Sequence, residues 1–138
     1  MNTSNLHTYQ TDILGEDYQQ LTLNFADDYD GKVVATLIRK KAHNPTKKAV
    51  LYIHGFADYF FQTEKNNQHG YDFYALDLRK YGRSKLPHQK LYYVLDLREY
   101  DAEISKALEI IAKENHNQVL LAGHSTGGLI STLYAAHY

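Results

Sequence analysis

The chain opens with alternating apolar and polar positions. Tyr18 to Phe25 (YQQLTLNF) has the two-residue period of a half-buried strand. Asp27 to Gly31 (DDYDG) is a turn cluster, and Lys32 to Lys40 (KVVATLIRK) reads as the partner strand of a hairpin. Both strands are expected to keep a wet face and to lie at the antiparallel edge of a sheet. The pattern then changes. Ala49 to Ile53 (AVLYI) is a short continuous apolar run, as in a strand buried on both faces, and Tyr71 to Leu78 (YDFYALDL) and Gln118 to Ala122 (QVLLA) repeat it. Helical stretches lie between these runs. Asp58 is placed to cap a helix running to about Asn67. Between Leu91 and Asn115, apolar residues at Leu97, Tyr100, Ile104, Leu108 and Ile111 step by three and four, which puts them on one helical face. Leu129 to Tyr138 is rich in Ala and Leu and favours helix.

Apolar strands alternating with helices imply parallel βαβ units with right-handed crossovers. The expected fold is therefore α/β, an antiparallel lead-in followed by a parallel sheet, with residues 1–138 in one domain. In such sheets ligands bind beyond the C-terminal ends of the strands. That directs attention to the loops after Ile53, Leu78 and Ala122.

The third of these loops carries a chemical pattern. Gly123-His124-Ser125-Thr126-Gly127 fits G-x-S-x-G, and Gly128 extends it. Composition alone would place such a match somewhere in a chain of this size about one time in twenty. Its position between a buried strand and a helix is what makes it specific. Gly123 and Gly127 remove side chains where two backbone arms crowd together. The Ser125 hydroxyl is then held clear of the backbone, and N–H groups at the helix start face developing negative charge. The Thr126 N–H is the expected oxyanion donor. His124 adjoins Ser125, but neighbouring side chains on such a turn diverge, so a structural role is expected for it.

In the first loop, His54-Gly55-Phe56-Ala57-Asp58, Gly55 permits a sharp turn that leaves N–H groups free, and Phe56 N–H is the candidate second donor. Two such donors would each contribute about 3 kcal/mol to transition-state stabilisation. His54 qualifies as a base by residue type alone; bracing the loop through hydrogen bonds is the expected role. The second loop, Asp77 to Ser84 (DLRKYGRS), mixes charges with a glycine and reads as a buttress. Asp77 is expected to form a structural ion pair with Arg79 or Arg83. The other histidines show no metal-ligand spacing, so neither a metal site nor a cofactor is expected.

Composition narrows the partners. The formal net charge is −1, which gives no electrostatic case for nucleic acid or an anionic membrane surface. The chain has no cysteine, which suits a reducing compartment. Met1 to Gln10 lacks the apolar core of a signal peptide, and no apolar run approaches the roughly 18 residues of a membrane span. A cytoplasmic protein is the expectation. Thirteen tyrosines and no tryptophan suggest amphipathic residues at the core edge.

Taken in order, LYIHGF, YDFYALDLRKYGRS and VLLAGHSTGG resemble the α/β-hydrolase superfamily. Within it they are most similar to serine hydrolases grouped with monoacylglycerol lipases, lysophospholipases and proline-iminopeptidase-like aminopeptidases. The likeness runs from about Leu21 to Tyr138. It implies that Ser125 is the nucleophile and that Phe56 and Thr126 supply the oxyanion N–H groups. It also implies hydrolysis of lipid-like or small acyl esters through an acyl-enzyme, or of amides in an aminopeptidase. His54, Gly55, Gly123, His124, Gly127 and the Gly82-Arg83-Ser84 stretch would shape the surrounding loops. In this superfamily the acid and the base follow the serine, in loops after later strands. The sequence stops 13 residues beyond Ser125, so neither triad partner is expected in this chain. The chain then corresponds to the N-terminal portion of a single α/β-hydrolase domain, a mostly parallel sheet truncated after the nucleophile helix. A truncated product, one part of a two-chain enzyme and a shortened fold all fit. Alone it is expected to be inactive or nearly so. The Gln118–Ala122 strand would lose a neighbour, leaving an apolar edge open to self-association. The alternative is a non-catalytic half-domain that binds another chain.

Overall fold

The computed structural model describes residues 8–55 and 70–138. Six strands form one sheet: β1 (Gln10–Asp12), β2 (Gly15–Asp28), β3 (Gly31–Lys40), β4 (Lys48–Ile53), β5 (Asp72–Asp77) and β6 (Gln118–Gly123). Among the described residues two α-helices follow the later strands, α1 (Asp101–Lys113) and α2 (Thr126–His137). The spatial order is β1-β2-β3-β5-β4-β6. The pairs β1/β2, β2/β3 and β3/β5 are antiparallel, whereas β4 pairs in parallel with both β5 and β6. The sheet is therefore the expected α/β arrangement, an antiparallel lead-in joined to a parallel section, with the two types mixed across its width. The helix expected from Asp58 to Asn67 lies outside the described residues.

The β2–β3 hairpin keeps the predicted pairing, with Leu21 opposite Leu37, Leu23 opposite Ala35 and Phe25 opposite Val33. Its wet face belongs to β2 alone. Val33 to Ile38 are buried without interruption, because β3 sits inside the sheet between β2 and β5 and both its faces are covered. β6 departs in the opposite sense. It reads as a doubly buried strand, yet it is only partly covered and Leu120 is 54% exposed. Among the described residues β6 is an edge strand, paired only with β4, so its apolar side chains lack a neighbour on one side.

The Leu91–Asn115 segment is shorter as a helix than its periodicity suggests. Asp96 stops the pattern from propagating backwards. Its carboxylate accepts from Arg98 N–H at 2.9 Å while Glu99 accepts from Asp96 N–H at 3.1 Å, a reciprocal cap that starts a 3-10 turn over Leu97–Tyr100. α1 follows directly. Tyr100, Ile104, Ala107, Ile110 and Ile111 are buried against Leu51, Ile53, Tyr74 and Leu76 of the sheet. Burial of each isoleucine contributes about 1.5–3 kcal/mol, an upper bound because the unfolded chain already hides some surface. α2 packs Ile130 and Tyr134 into the same core, and the Tyr134 hydroxyl lies 2.9 Å from Ser105 Oγ of α1. Among the described residues, no helix is long and apolar enough to cross a membrane.

β1 has no sequence signal, since Gln-Thr-Asp is polar throughout. A charge secures it. Arg83 reaches Asp12 through Nε at 2.6 Å and Nη2 at 2.8 Å, and its Nη1 lies 2.9 Å from Asp77. Asp77 thus takes the Arg83 partner of the two expected. Arg79 instead pairs with buried Glu103 on α1, at 2.6 and 2.7 Å. Burial pushes the Glu103 carboxyl above the usual range, opposed by the Arg79 guanidinium. These pairs anchor the loop after β5 to β1 and α1.

Candidate active site

The turn between β6 and α2 is tight and strained. Ser125 sits at φ 55°, ψ −120°, a conformation that costs a non-glycine residue about 1–3 kcal/mol. Surrounding contacts hold it there. His124 N–H donates to Ile53 O at 3.2 Å, and Gly127 N–H donates to His124 O at 2.9 Å. A Cβ on Gly123 would overlap the Gly127 carbonyl and lie 2.6 Å from Gly128 N. A Cβ on Gly127 would collide with the carbonyl oxygens of Ile53 and His54. The two glycines therefore let the β6 arm, the α2 arm and the end of β4 meet. Gly128 differs, because a Cβ there would meet Gly123 O at an ordinary 3.7 Å.

Ser125 occupies the helix N-cap position, where a serine hydroxyl commonly caps the first turn. Here the hydroxyl makes no capping hydrogen bond, and the residue is exposed. The donors beside it are divided. Gly128 and Leu129 N–H groups both donate to Ser125 O, at 2.9 and 3.2 Å, and Gly127 N–H is taken by His124. Among the described residues the Ser125 and Thr126 N–H groups are both left without a partner in this turn, and the Thr126 N–H opens the helix. It stands next to the serine at the positive end of the α2 dipole.

The first loop lies against this turn. A Cβ on Gly55 would come 3.4 Å from Ser125 Cβ and 3.2 Å from His124 O, so the absence of a side chain lets the two loops abut. Phe56, the expected second donor, lies outside the described residues. His54 is buried, with Nδ1 2.8 Å from Gly55 O and Nε2 accepting from Leu78 N–H at 3.1 Å. Nδ1 must carry the proton to meet a carbonyl, and the Nε2 lone pair is then already engaged. His54 braces the loop and has no lone pair available to act as a base. His124 makes no hydrogen bond to the Ser125 hydroxyl; its Nδ1 flanks the Gly55 position instead. In the second loop, Ser84 Oγ donates to Asp77 O at 2.6 Å and contacts Thr36 Oγ1 at 3.0 Å, which ties Gly82–Ser84 to β5 and β3. Asp77 accepts from Arg83 N–H at 3.1 Å besides its ion pair, so its carboxylate is committed to the loop.

One contributor escaped the sequence pattern. The ring of Tyr81 packs against His54 with centroids 4.6 Å apart. A tyrosine in a charged loop offers no periodicity to mark it as buried.

A mixed sheet ending in a strained serine turn, with a spare N–H beside an exposed hydroxyl, is the architecture of an α/β-hydrolase. The chain belongs to the serine aminopeptidase S33 family, whose profile matches residues 44–138. It is 31% identical to mouse epoxide hydrolase 4 over 96 residues, 67% of this chain and 25% of that protein. Among solved structures, it is similar to a carboxyl esterase from Bacillus coagulans (TM-score 0.68, 18% identity, 88% of this chain and 41% of the other). It is also similar to an epoxide hydrolase from an endophytic Streptomyces (TM-score 0.57, 21% identity, 85% and 33%). The chain spans about a quarter of the length of the curated relative it matches.

Proposed function

We propose that this chain supplies the nucleophile half of a serine hydrolase site acting on carboxylic esters of lipid-like or small acyl groups. The observation that carries it is the strained, exposed Ser125 with the unused Thr126 N–H beside it. In the proposed reaction a base removes the hydroxyl proton as Ser125 Oγ bonds to the ester carbon. The carbonyl π electrons move onto oxygen, which is met by the N–H groups of Thr126 and Phe56. Collapse expels the alcohol, which leaves with a proton. Water then attacks the acyl-serine ester and releases the acid and Ser125. His54, Gly55, Gly123, His124 and Gly127 shape the two loops. No described residue is placed as base or triad acid, so the chain alone is expected to react slowly.

The serine also bears on the epoxide hydrolase relatives. An alcohol that opened an epoxide would leave an ether, which water does not cleave under mild conditions, whereas an acyl group on the same oxygen is a hydrolysable ester. Ser125 therefore favours acyl transfer, to water from an ester or, as the family name suggests, from a peptide amide. A fluorophosphonate probe tests the assignment. Weak labelling that disappears in Ser125→Ala is expected; equal labelling of both proteins overturns it.

A second role, as a binding surface, is favoured by charge. From Gln118 to Tyr138 the sequence contains no Asp, Glu, Lys or Arg, yet Leu120, Leu129 and Tyr138 are more than half exposed. The occupant we infer is a second copy. Antiparallel pairing of β6 with its own copy involves no like-charge contact. A two-fold axis perpendicular to the sheet would also bring the two α2 helices together on one face. Sedimentation should show a dimer that Leu120→Lys dissociates; a wild-type monomer at all concentrations counts against it.

A further inference from the structure

The loop after β5 contains an arrangement that its ion pairs do not explain. The backbone is left-handed on both sides of Tyr81, at Lys80 (φ 66°) and at Gly82 (φ 44°). At Lys80 the conformation carries a strain of about 1 kcal/mol or more. That strain is held by its own side chain, which is fully buried, with Nζ 2.8 Å from Asp28 Oδ2 and 2.7 Å from Tyr93 O. The double bend turns the Tyr81 ring inward, where it is 3% exposed. One neighbour is the His54 imidazole, at 4.6 Å and tilted 50°. Another is Tyr92, with centroids 4.7 Å apart. A third is Tyr100, at the start of α1, with ring centroids 6.4 Å apart. Leu78 links the same pair through the backbone, because its N–H donates to His54 Nε2 and its carbonyl accepts from Tyr81 N–H at 3.1 Å.

We propose that Tyr81, packed against Tyr100, is a positioning residue that locks the His54 imidazole and, through it, the Gly55 carbonyl beside the Ser125 turn. The mechanical link is the Gly55 carbonyl. His54 Nδ1–H holds its oxygen at 2.8 Å. Gly55 in turn abuts the serine turn, where a Cβ on it would come 3.4 Å from Ser125 Cβ and 3.2 Å from His124 O. A small rotation of the imidazole would release the oxygen and let Gly55 shift against that turn. Misplacing a catalytic group by about 1 Å is sufficient to cost on the order of a hundredfold in rate. The strain stored at Lys80 thus serves to aim one ring at one histidine. This role rests on the proposed function only in its last step, from Gly55 to Ser125; the hold on His54 is independent of that.

The test uses the 138-residue chain and two readouts. Long-range proton–nitrogen NMR follows the His54 Nδ1–H and its exchange with solvent, and fluorophosphonate labelling follows Ser125. Tyr81→Phe keeps the ring and should leave both readouts within about twofold of wild type. Tyr81→Leu removes the ring and should speed Nδ1–H exchange and slow labelling, each by about tenfold or more. Tyr81→Met, with a flexible side chain that fills more of the space, serves if the leucine variant does not fold and should shift both readouts in the same direction. Unchanged exchange in a folded Leu or Met variant overturns the proposal. So does equal disturbance by Phe and Leu, which would make the hydroxyl and not the ring the holding group. Labelling that survives in Ser125→Ala discards the serine assignment instead, and leaves the exchange rates to judge Tyr81.

Discussion

Replacing Ser125 with alanine and, separately, with glycine isolates the strain in the turn from the chemistry of the hydroxyl. Both variants lose the hydroxyl proposed as the nucleophile. Alanine keeps a Cβ and so keeps the cost of φ 55°, ψ −120°, whereas glycine escapes it. Relief of about 1–3 kcal/mol is offset by the roughly 0.5–1 kcal/mol of extra unfolded-state entropy that glycine carries. The residue is exposed, so the lost methyl group removes little burial. The net expectation is that the glycine variant is more stable than the alanine variant by about 0.5–2 kcal/mol, the reverse of the ordinary order. Urea denaturation measures it. With a slope of roughly 2 kcal/mol/M, a difference of about 1 kcal/mol moves the midpoint by about 0.5 M. A glycine midpoint at or below that of alanine, at equal slopes, would refute a strained turn at this position. The Ser125 assignment would then lose its principal support.

Further outcomes follow from the same contacts. Gly127→Ala drives a Cβ into the carbonyl oxygens of Ile53 and His54 and is expected to cost at least about 2 kcal/mol, while Gly128→Ala should be neutral or gain up to about 1 kcal/mol from helix propensity. Similar urea midpoints for the two variants would contradict the geometry of the turn. Asp72 accepts from Ala42 N–H at 2.7 Å and faces His116 Nε2 at 2.7 Å and Lys41 Nζ at 3.3 Å. Burial alone would raise its carboxyl, but these partners hold it below the usual range. Because the folded value is the lower one, the stability Asp72 contributes is complete above the unfolded value of roughly 3.9 and is lost as the pH falls through the folded value. Asp72→Asn should therefore flatten the acid limb of a melting-temperature profile; superimposable limbs in the two proteins would disprove the linkage. Glu103→Gln leaves the buried Arg79 guanidinium with only the more distant Asp28 carboxylate, at 3.8 Å, as counter-charge and should cost about 3 kcal/mol, read from the same denaturation curves. A loss below about 1 kcal/mol would mean that this pair does not anchor the loop.

Local pattern was enough to locate most of the sheet and the candidate serine turn. β2 to β6 lie where alternation or continuous apolar runs place them, because side-chain period and strand burial are properties of neighbouring residues. G-x-S-x-G between a strand and a helix is equally local, since the crowding that demands Gly123 and Gly127 arises within a few residues and against the end of β4. Three matters needed the assembled sheet. Whether a strand is wet depends on its neighbours: β3 is buried by its place between β2 and β5, and β6 is open because it is at the edge. β1 exists through the long-range pairing of Asp12 with Arg83, which no run of three polar residues announces. The state of His54 was also undecidable from residue type. Only when Leu78 N–H and Gly55 O meet its two nitrogens, with Tyr81 against its ring, does it become a brace instead of a base. Sequence settled where the candidate serine turn lies; tertiary packing settled which groups around it still have a lone pair or a donor available, because hydrogen-bond partners distant in the chain are chosen only on folding.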